Sequence, residues 1–352
     1  MSKIEFWTTG AGVPGVGTRR AERAEEAGYD GIVYVDSQNL AGDCYIALAM
    51  AAHATKHLKL GTGVTNPFTR HPAVTASAIA TVQAESGGRA VLGIGRGDSA
   101  LAHLGLAPAS PAVFEAYVTR LQGYLRGEDV AFEADGDVDT LGLADRPAAS
   151  RIRWLRHAGV DKVPVDVTAT GPRVIRIGAR LGDRLTFAVG ADPERLRWAI
   201  DTARAARTAA GLDPAAQPLG AYVTVVAHPD LDVAKRLGEG GISLFTRFSA
   251  MHGTVVGPVT AASGPVFKAV HDAYDMNRHS RVGSAQASVI PTEFAANFAV
   301  LGSPKDCVTR LRELAELGLN RFVIVGPSGE ADPAAAERAE RAFVEEVMPA
   351  LR

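Results

Sequence analysis

A (β/α)8 barrel, an α/β TIM barrel with insertions, is the fold class this sequence predicts, and three observations carry it. Short apolar runs alternate with amphipathic helical stretches along the whole chain, the pattern of parallel strands joined by crossover helices. Eight such strand-like runs can be counted, with no repeat of about 30 residues to suggest a solenoid. The length, 352 residues with 47% hydrophobic content, suits one large α/β barrel with an ample core. The chain is therefore read as a single domain over 1–352.

The elements follow in order. Residues 3–8 form strand one, and a Gly/Pro loop leads to a helix over 18–27 stopped by Gly28. Strand two is 31–35, after which Asp43 is placed to cap a helix ending at 54. Strand three, 58–64, runs through Gly61 and Gly63 into a polar turn. Pro72 then opens a helix reaching 85, at a position where its missing N–H is not needed. Strand four covers 89–95, and a helix over 111–126 stops at Gly127. Residues 128–159 are too many for a plain connection and read as an excursion or lid. Strand five (163–169) with helix 171–181, strand six (184–189) with helix 193–210, and strand seven (219–227) continue the alternation. Helix 304–317 precedes strand eight at 321–325, and a last helix spans 333–348.

Between strands seven and eight lies an insertion, 229–302, with helical pieces at 232–244 and 265–274. In a barrel it would emerge beside the C-terminal ends of the strands, where active sites lie, so a substrate cover that orders on binding is expected. A doubly wound sheet is the alternative fold. Gly10, Gly12, Gly15 and Gly17 follow strand one, but not in the G-x-G-x-x-G spacing such a sheet would use.

Composition narrows the function. A formal net charge of -2 argues against nucleic acid or an anionic membrane as partner. No apolar run approaches ~18 residues, and no signal-peptide pattern is present. Two cysteines, far apart, suggest neither a disulfide framework nor a zinc site. The nine histidines show no H-E-x-x-H spacing, so no metal is expected, and no G-x-S-x-G elbow occurs. A cytoplasmic protein acting on a small molecule is the expectation.

In a barrel the strand C-termini converge, which gathers Glu5 and Trp7, Asp36 to Asn39, Thr62 to Asn66, Arg96 to Ser99 and Ala169 to Arg173 around one cavity. Two acids stand out. Glu5 sits in an otherwise apolar strand, either facing the barrel interior or as an ordinary solvated strand residue. Asp98 lies between Gly97 and Ser99, either in the cavity or as a turn residue or helix N-cap. Thr170, Gly171, Pro172 and Arg173 form a strand–turn–helix start whose free N–H groups suit a phosphate, with a plain helix start as the alternative.

The run GTGVTNPFTRHP at 61–72 resembles the strand-three signature of luciferase-like barrel oxidoreductases that use the deazaflavin coenzyme F420, nearest to the methylenetetrahydromethanopterin reductase branch. DSQN at 36–39, GRGDS at 95–99, TGPR at 170–173, GADPER at 190–195 and the segment 298–304 are similar to other family segments, in the family's order. The resemblance implies a barrel that pairs into homodimers and binds a flavin-like ring at the C-terminal mouth. It implies a bulge with a non-prolyl cis peptide at Gly63–Val64 behind the ring, and the phosphate end at Gly171 and Pro172. Cofactor contacts are then expected from Asp36, Asn39, Thr62, Gly63, Val64, Thr65, Asn66, Gly95, Gly97, Thr170, Gly171, Pro172 and Arg173. Glu5 and Asp98 take the places of the family's strand-one and strand-four acids. Ser37 stands where the branch commonly has a histidine, and one residue is inserted between Asn39 and Asp43. The function expected is hydride transfer between F420 and an organic substrate. An FMN-dependent monooxygenase and a non-catalytic flavin- or deazaflavin-binding barrel are the alternatives.

Overall fold

In the computed structural model, which describes residues 3–132, 142, 144–145 and 147–352, eight parallel strands close on themselves. They are β1 (Glu5–Ala11), β2 (Gly31–Val35), β3 (Lys59–Thr62), β4 (Ala90–Ile94), β5 (Val165–Ala169), β6 (Arg184–Phe187), β7 (Leu219–Ala227) and β8 (Arg321–Val325). Closure runs through Leu185 opposite Leu219, Gly220 opposite Arg321, and Arg321 opposite Glu5.

The period of two along each strand divides the apolar residues between two cores. Phe6, Ile32, Leu60, Leu92, Val167, Phe187 and Phe322 face outward and pack with the surrounding helices. Trp7, Val33, Val91, Tyr222 and Val323 face inward, and their cluster continues into the insertion through Ile242, Phe245, Phe267 and Phe298. The insertion's apolar faces therefore complete the barrel's interior rather than form a separate core.

That insertion holds the helix Leu231–Ser249, the helix Ser263–Asp272, short turns, and the helix Thr292–Phe298. Its first helix runs past the expected end at 244. Gly240 and Gly241 lie mid-helix because the chain packs tightly there. A Cβ on Gly240 would sit 2.3 Å from the Ser280 carbonyl oxygen. A short strand, Val300–Gly302, pairs with the far end of β7 beyond the point where β6 stops. The excursion expected at 128–159 shows a small antiparallel pair, Val130–Ala131 with Ala149–Ser150, and the 3-10 helix Arg153–His157. The remainder of that stretch, 133–141, 143 and 146, lies outside the described residues.

The barrel floor is polar. Glu5 accepts from Lys59 Nζ at 2.6 Å, from Arg184 Nη2 at 2.8 Å and from Trp7 Nε1 at 3.0 Å. Beside it, buried Arg321 donates to Asp166 Oδ2 and Thr186 Oγ1, both at 2.7 Å. Trp7 lies across the middle of the barrel above this floor, in space left by Gly31, where a Cβ would meet the indole at 2.5 Å. Here an expectation is corrected. β1 does not end at residue 8 but runs to Ala11, so Glu5 is its first residue and sits at the end opposite the strand C-termini. The strand's mouth end supplies Thr8, Thr9, Gly10 and Ala11, none of them an acid.

Candidate active site at the strand C-terminal ends

A cavity of about 910 Å³ opens at the C-terminal ends of the strands and is lined by residues at or just beyond the ends of all eight and by the insertion. A second hollow, about 780 Å³, lies outside the barrel between helices and the 151–163 segment. Arg126 and Arg151, which line it, are paired with Glu128 and Asp129, and no strand end reaches it.

The end of β3 shapes one wall of the larger cavity. The Gly63 N–H donates to the Tyr34 carbonyl at 2.7 Å, the Gly63–Val64 peptide is cis, and the chain rejoins β4 through the Thr65–Ile94 bridge. Only glycine fits at 63, because a Cβ there would lie 2.5 Å from Val33 Cγ2. Gly63, Val64, Asn66, Gly95 and Gly97 all line the cavity. Gly97 has φ +86, the left-handed region that glycine adopts without cost, and a Cβ would meet Leu101 Cδ1 at 2.4 Å.

Asn66 is buried. Its Oδ1 accepts from the Phe68 and Thr69 N–H groups at 3.0 and 3.2 Å, fixing the turn, while its Nδ2 is buried without a hydrogen-bond partner. A buried amide donor left unpaired costs about 1–3 kcal/mol.

Asp36 lines the cavity, but both its oxygens are occupied. It accepts from Thr65 Oγ1 and Arg70 Nη1, both at 2.7 Å, and from Gln38 Nε2 at 2.5 Å. Arg70 also reaches Asp43 at 2.7 Å and lies over the Tyr45 ring. Asp43 caps the next helix, and although burial works to raise its carboxyl, the Ile46 and Tyr45 N–H groups and Arg70 hold it below the usual range. Asp36 and Thr65 thus brace the loops after β2 and β3 against each other.

Five of the expected cofactor residues do not line the cavity: Asn39, Thr62, Thr65, Pro172 and Arg173. Asn39 is exposed and donates to the His103 carbonyl at 2.8 Å. The Thr62 hydroxyl is spent on the Gly93 carbonyl at 2.6 Å. Arg173 is exposed to solvent. Thr170 and Gly171 do line it. Gly171 is the N-cap of the helix Pro172–Leu181 and offers no side-chain cap, so the first N–H groups of that helix have no side-chain acceptor.

Asp98 also lines the cavity. It precedes the short helix Ser99–Ala102 without capping it, and its carboxylate instead forms an ion pair with Arg247 Nη1 of the insertion. The Arg247 guanidinium stacks over the Tyr274 ring at 4.6 Å, and the Tyr274 hydroxyl lies 2.8 Å from His279 Nδ1. Arg247, Tyr274 and His279 carry no motif; only the fold brings them together, with His279 lining the cavity.

A closed parallel barrel with a glycine-walled cavity at the strand C-termini defines a TIM-barrel protein whose chemistry sits in the loops after the strands. The chain belongs to the luciferase-like monooxygenase family, which it matches over residues 6–321. It is 28% identical over 316 residues to 5,10-methylenetetrahydromethanopterin reductase of Methanolobus tindarius, covering 88% of this chain and 89% of the relative. It is 29% identical over 350 residues to F420-dependent glucose-6-phosphate dehydrogenase of Microbacterium testaceum, covering 94% and 91%. Among solved structures it resembles the coenzyme F420 dependent tetrahydromethanopterin reductase of Methanopyrus kandleri, with TM-score 0.74, 21% identity and 100% of both chains covered.

Proposed function

We propose that the protein is an F420-dependent oxidoreductase that moves a hydride between the deazaflavin coenzyme and a small organic substrate. The observation that carries this is near-full-length similarity to a 5,10-methylenetetrahydromethanopterin reductase and to a glucose-6-phosphate dehydrogenase named as F420-dependent, combined with a cavity that fits such a group. The fit has two ends. The unpaired Asn66 Nδ2, beside Gly63 and Val64, suits a ring carbonyl, and the uncapped helix start at Gly171 suits a phosphate. When bound, the deazaflavin supplies the hydride chemistry. The protein's part is to orient and enclose. Gly63 and Val64 back the ring, Asn66 fixes its edge, and Asp98 with Arg247 ties the insertion over the mouth, where it acts as a cover that limits water. Asp98 is the strand-end acid of this reading, acting through Arg247.

The assembly proposed is a cytoplasmic homodimer. Ile46 and Met50 on the helix Cys44–Ala54, and Val74 on the neighbouring helix Pro72–Glu85, are large apolar side chains left exposed. Both cysteines are free and buried, as suits a reducing compartment.

Titration of the purified protein with F420 and separately with FMN, followed by anaerobic and aerobic assays with the reduced forms, tests the proposal. Tight F420 binding with oxygen-independent turnover is expected. Preferential FMN binding with oxygen consumption would replace this reading with a flavin monooxygenase, and binding of either without turnover would leave a carrier.

A further inference from the structure

The insertion carries a side-chain cluster, Arg247, Tyr274 and His279, whose last member lines the cavity. Tyr274 follows the helix Ser263–Asp272, and His279 follows the 3-10 turn Met276–Arg278. That turn is held from two sides. Buried Gln286 accepts from the Asp275 N–H at 3.1 Å and donates to the Arg278 carbonyl at 3.2 Å. Arg278 and Arg281 both pair with Glu330, in the loop after β8. The Arg247 guanidinium, engaged by Asp98, fixes the Tyr274 ring from above. His279 lines the cavity, and among the described residues no protein group hydrogen-bonds its Nε2.

The chemistry of the pair selects a tautomer. A phenol O–H is a better donor than an imidazole N–H, and an unprotonated imidazole nitrogen is the better acceptor. Tyr274 therefore donates to Nδ1, and the ring proton sits on Nε2. Burial pushes the His279 imidazole down to about 4, against the upward pull of Asp98, so the ring is neutral at neutral pH. The groups facing it are Asp98, Arg247, His103 and Tyr274, and the charge of Asp98 is already answered by Arg247. This part of the cavity presents a fixed, neutral N–H donor.

We propose that His279, held in its Nε2–H tautomer by Tyr274, binds the substrate's acceptor atom: a carbonyl oxygen or imine nitrogen bonded to the carbon that exchanges hydride. The inference rests on the oxidoreductase reading and deepens it by naming a substrate class. A bound reduced deazaflavin would supply the hydride. The π electron pair of the C=O or C=N bond would move onto the oxygen or nitrogen, which would then take a proton from solvent to complete the alcohol or amine while the coenzyme is left oxidised. A preorganised N–H then binds more strongly than in the ground state. A substrate without that acceptor would leave the donor unpaired. Tyr274 is the positioning residue, because it sets which nitrogen carries the proton.

Nitrogen-15 NMR of labelled histidine in the coenzyme-free protein reads the tautomer directly. The wild type is expected to show neutral Nε2–H at His279, and Tyr274→Phe a mixture of tautomers. A wild-type ring that is charged or Nδ1–H, or a Tyr274→Phe spectrum that is unchanged, overturns the assignment. Turnover is then measured with reduced F420 and three probes: cyclohexanone, benzaldehyde and 2-methyl-1-pyrroline. His279→Leu should lower kcat/KM by about 10- to 100-fold, the equivalent of one lost hydrogen bond to a charged group, with the F420 dissociation constant unchanged. His279→Gln, which restores an N–H, should recover part of the loss. Unchanged kcat/KM in His279→Leu overturns the role. A wild type that binds F420 but reduces none of the three probes overturns the substrate class. A wild type that fails to bind F420 at all defeats the oxidoreductase reading itself, and the inference falls with it.

Discussion

At the residue scale, two side chains give sharp tests because each has one function that can be removed alone. Asn66 holds its turn through Oδ1, and its Nδ2 is buried without a partner. Asn66→Asp keeps the first and deletes the second. Calorimetric titration should show F420 binding weakened by about 1–3 kcal/mol, the range for a lost hydrogen bond with a buried partner. An unchanged dissociation constant would remove Asn66 from the ring's edge. Glu5 tests the floor instead. Burial works to raise its carboxyl, but Lys59, Arg184 and Trp7 outweigh it and bring it from 4.5 to about 2. A depressed carboxyl stabilises the fold fully above its unfolded value and loses that contribution as pH falls through the folded one. The window is thus from about 4.5 down to about 2, with a contribution on the order of 2–3 kcal/mol in a group that is 23% exposed. Glu5→Gln should unfold at lower denaturant at neutral pH, and its deficit against wild type should shrink in acid. A deficit independent of pH would mean that packing, not charge, is what the floor loses. Sequence alone could not separate Glu5 from Asp98, because both are acids in glycine-containing or apolar strand contexts. What separates them is how far β1 runs, and its last residues, Gly10 and Ala11, read locally as a loop.

At the element scale, most of the barrel was legible. Strand alternation, the Asp43 cap and the prolines at first helical positions each act within a few residues of themselves, and all appear where expected. What was not legible depends on distant packing. The partners of Asp98 come from an insertion some 150 positions on in the chain (Arg247 is at |i−j| = 149), and no local signal marks them. The turn after β5 shows the same limit in a single motif: Gly171 lines the cavity while Arg173, two residues later, turns to solvent. Two variants follow from that split. Arg173→Ala should leave F420 affinity unchanged. Gly171→Ala keeps an allowed backbone, its Cβ meeting only Val256 Cγ1 at 3.7 Å, but narrows the approach to the helix N–H groups. It should weaken F420 binding while sparing a deazaflavin that lacks the phosphate tail. Equal losses for both ligands would place the phosphate elsewhere.

At the scale of the whole molecule, the helix Cys44–Ala54 is the element that a lone barrel does not explain. A helix on the outside of a barrel is normally apolar toward the strands and polar toward water. Here Cys44, Leu48, Ala51 and Ala52 are buried, while Ile46 and Met50, one turn apart on the other side, are 66% and 51% exposed. A helix apolar on both sides belongs between two surfaces. Val74, at the start of the adjacent helix Pro72–Glu85, is 53% exposed and extends the apolar area. A second copy of the chain can cover this face, since a twofold axis pairs one patch with itself. Ile46→Asp places a charge at its centre without touching the cavity or the barrel core. If the homodimer forms here, each association buries two such carboxylates, and sedimentation velocity should show the dimer dissociation constant raised by at least about 100-fold. The monomer should keep its F420 affinity, because Ile46 does not line the cavity. A wild type that sediments as a monomer, or an Ile46→Asp variant that remains a dimer, would assign this apolar face to something other than self-association.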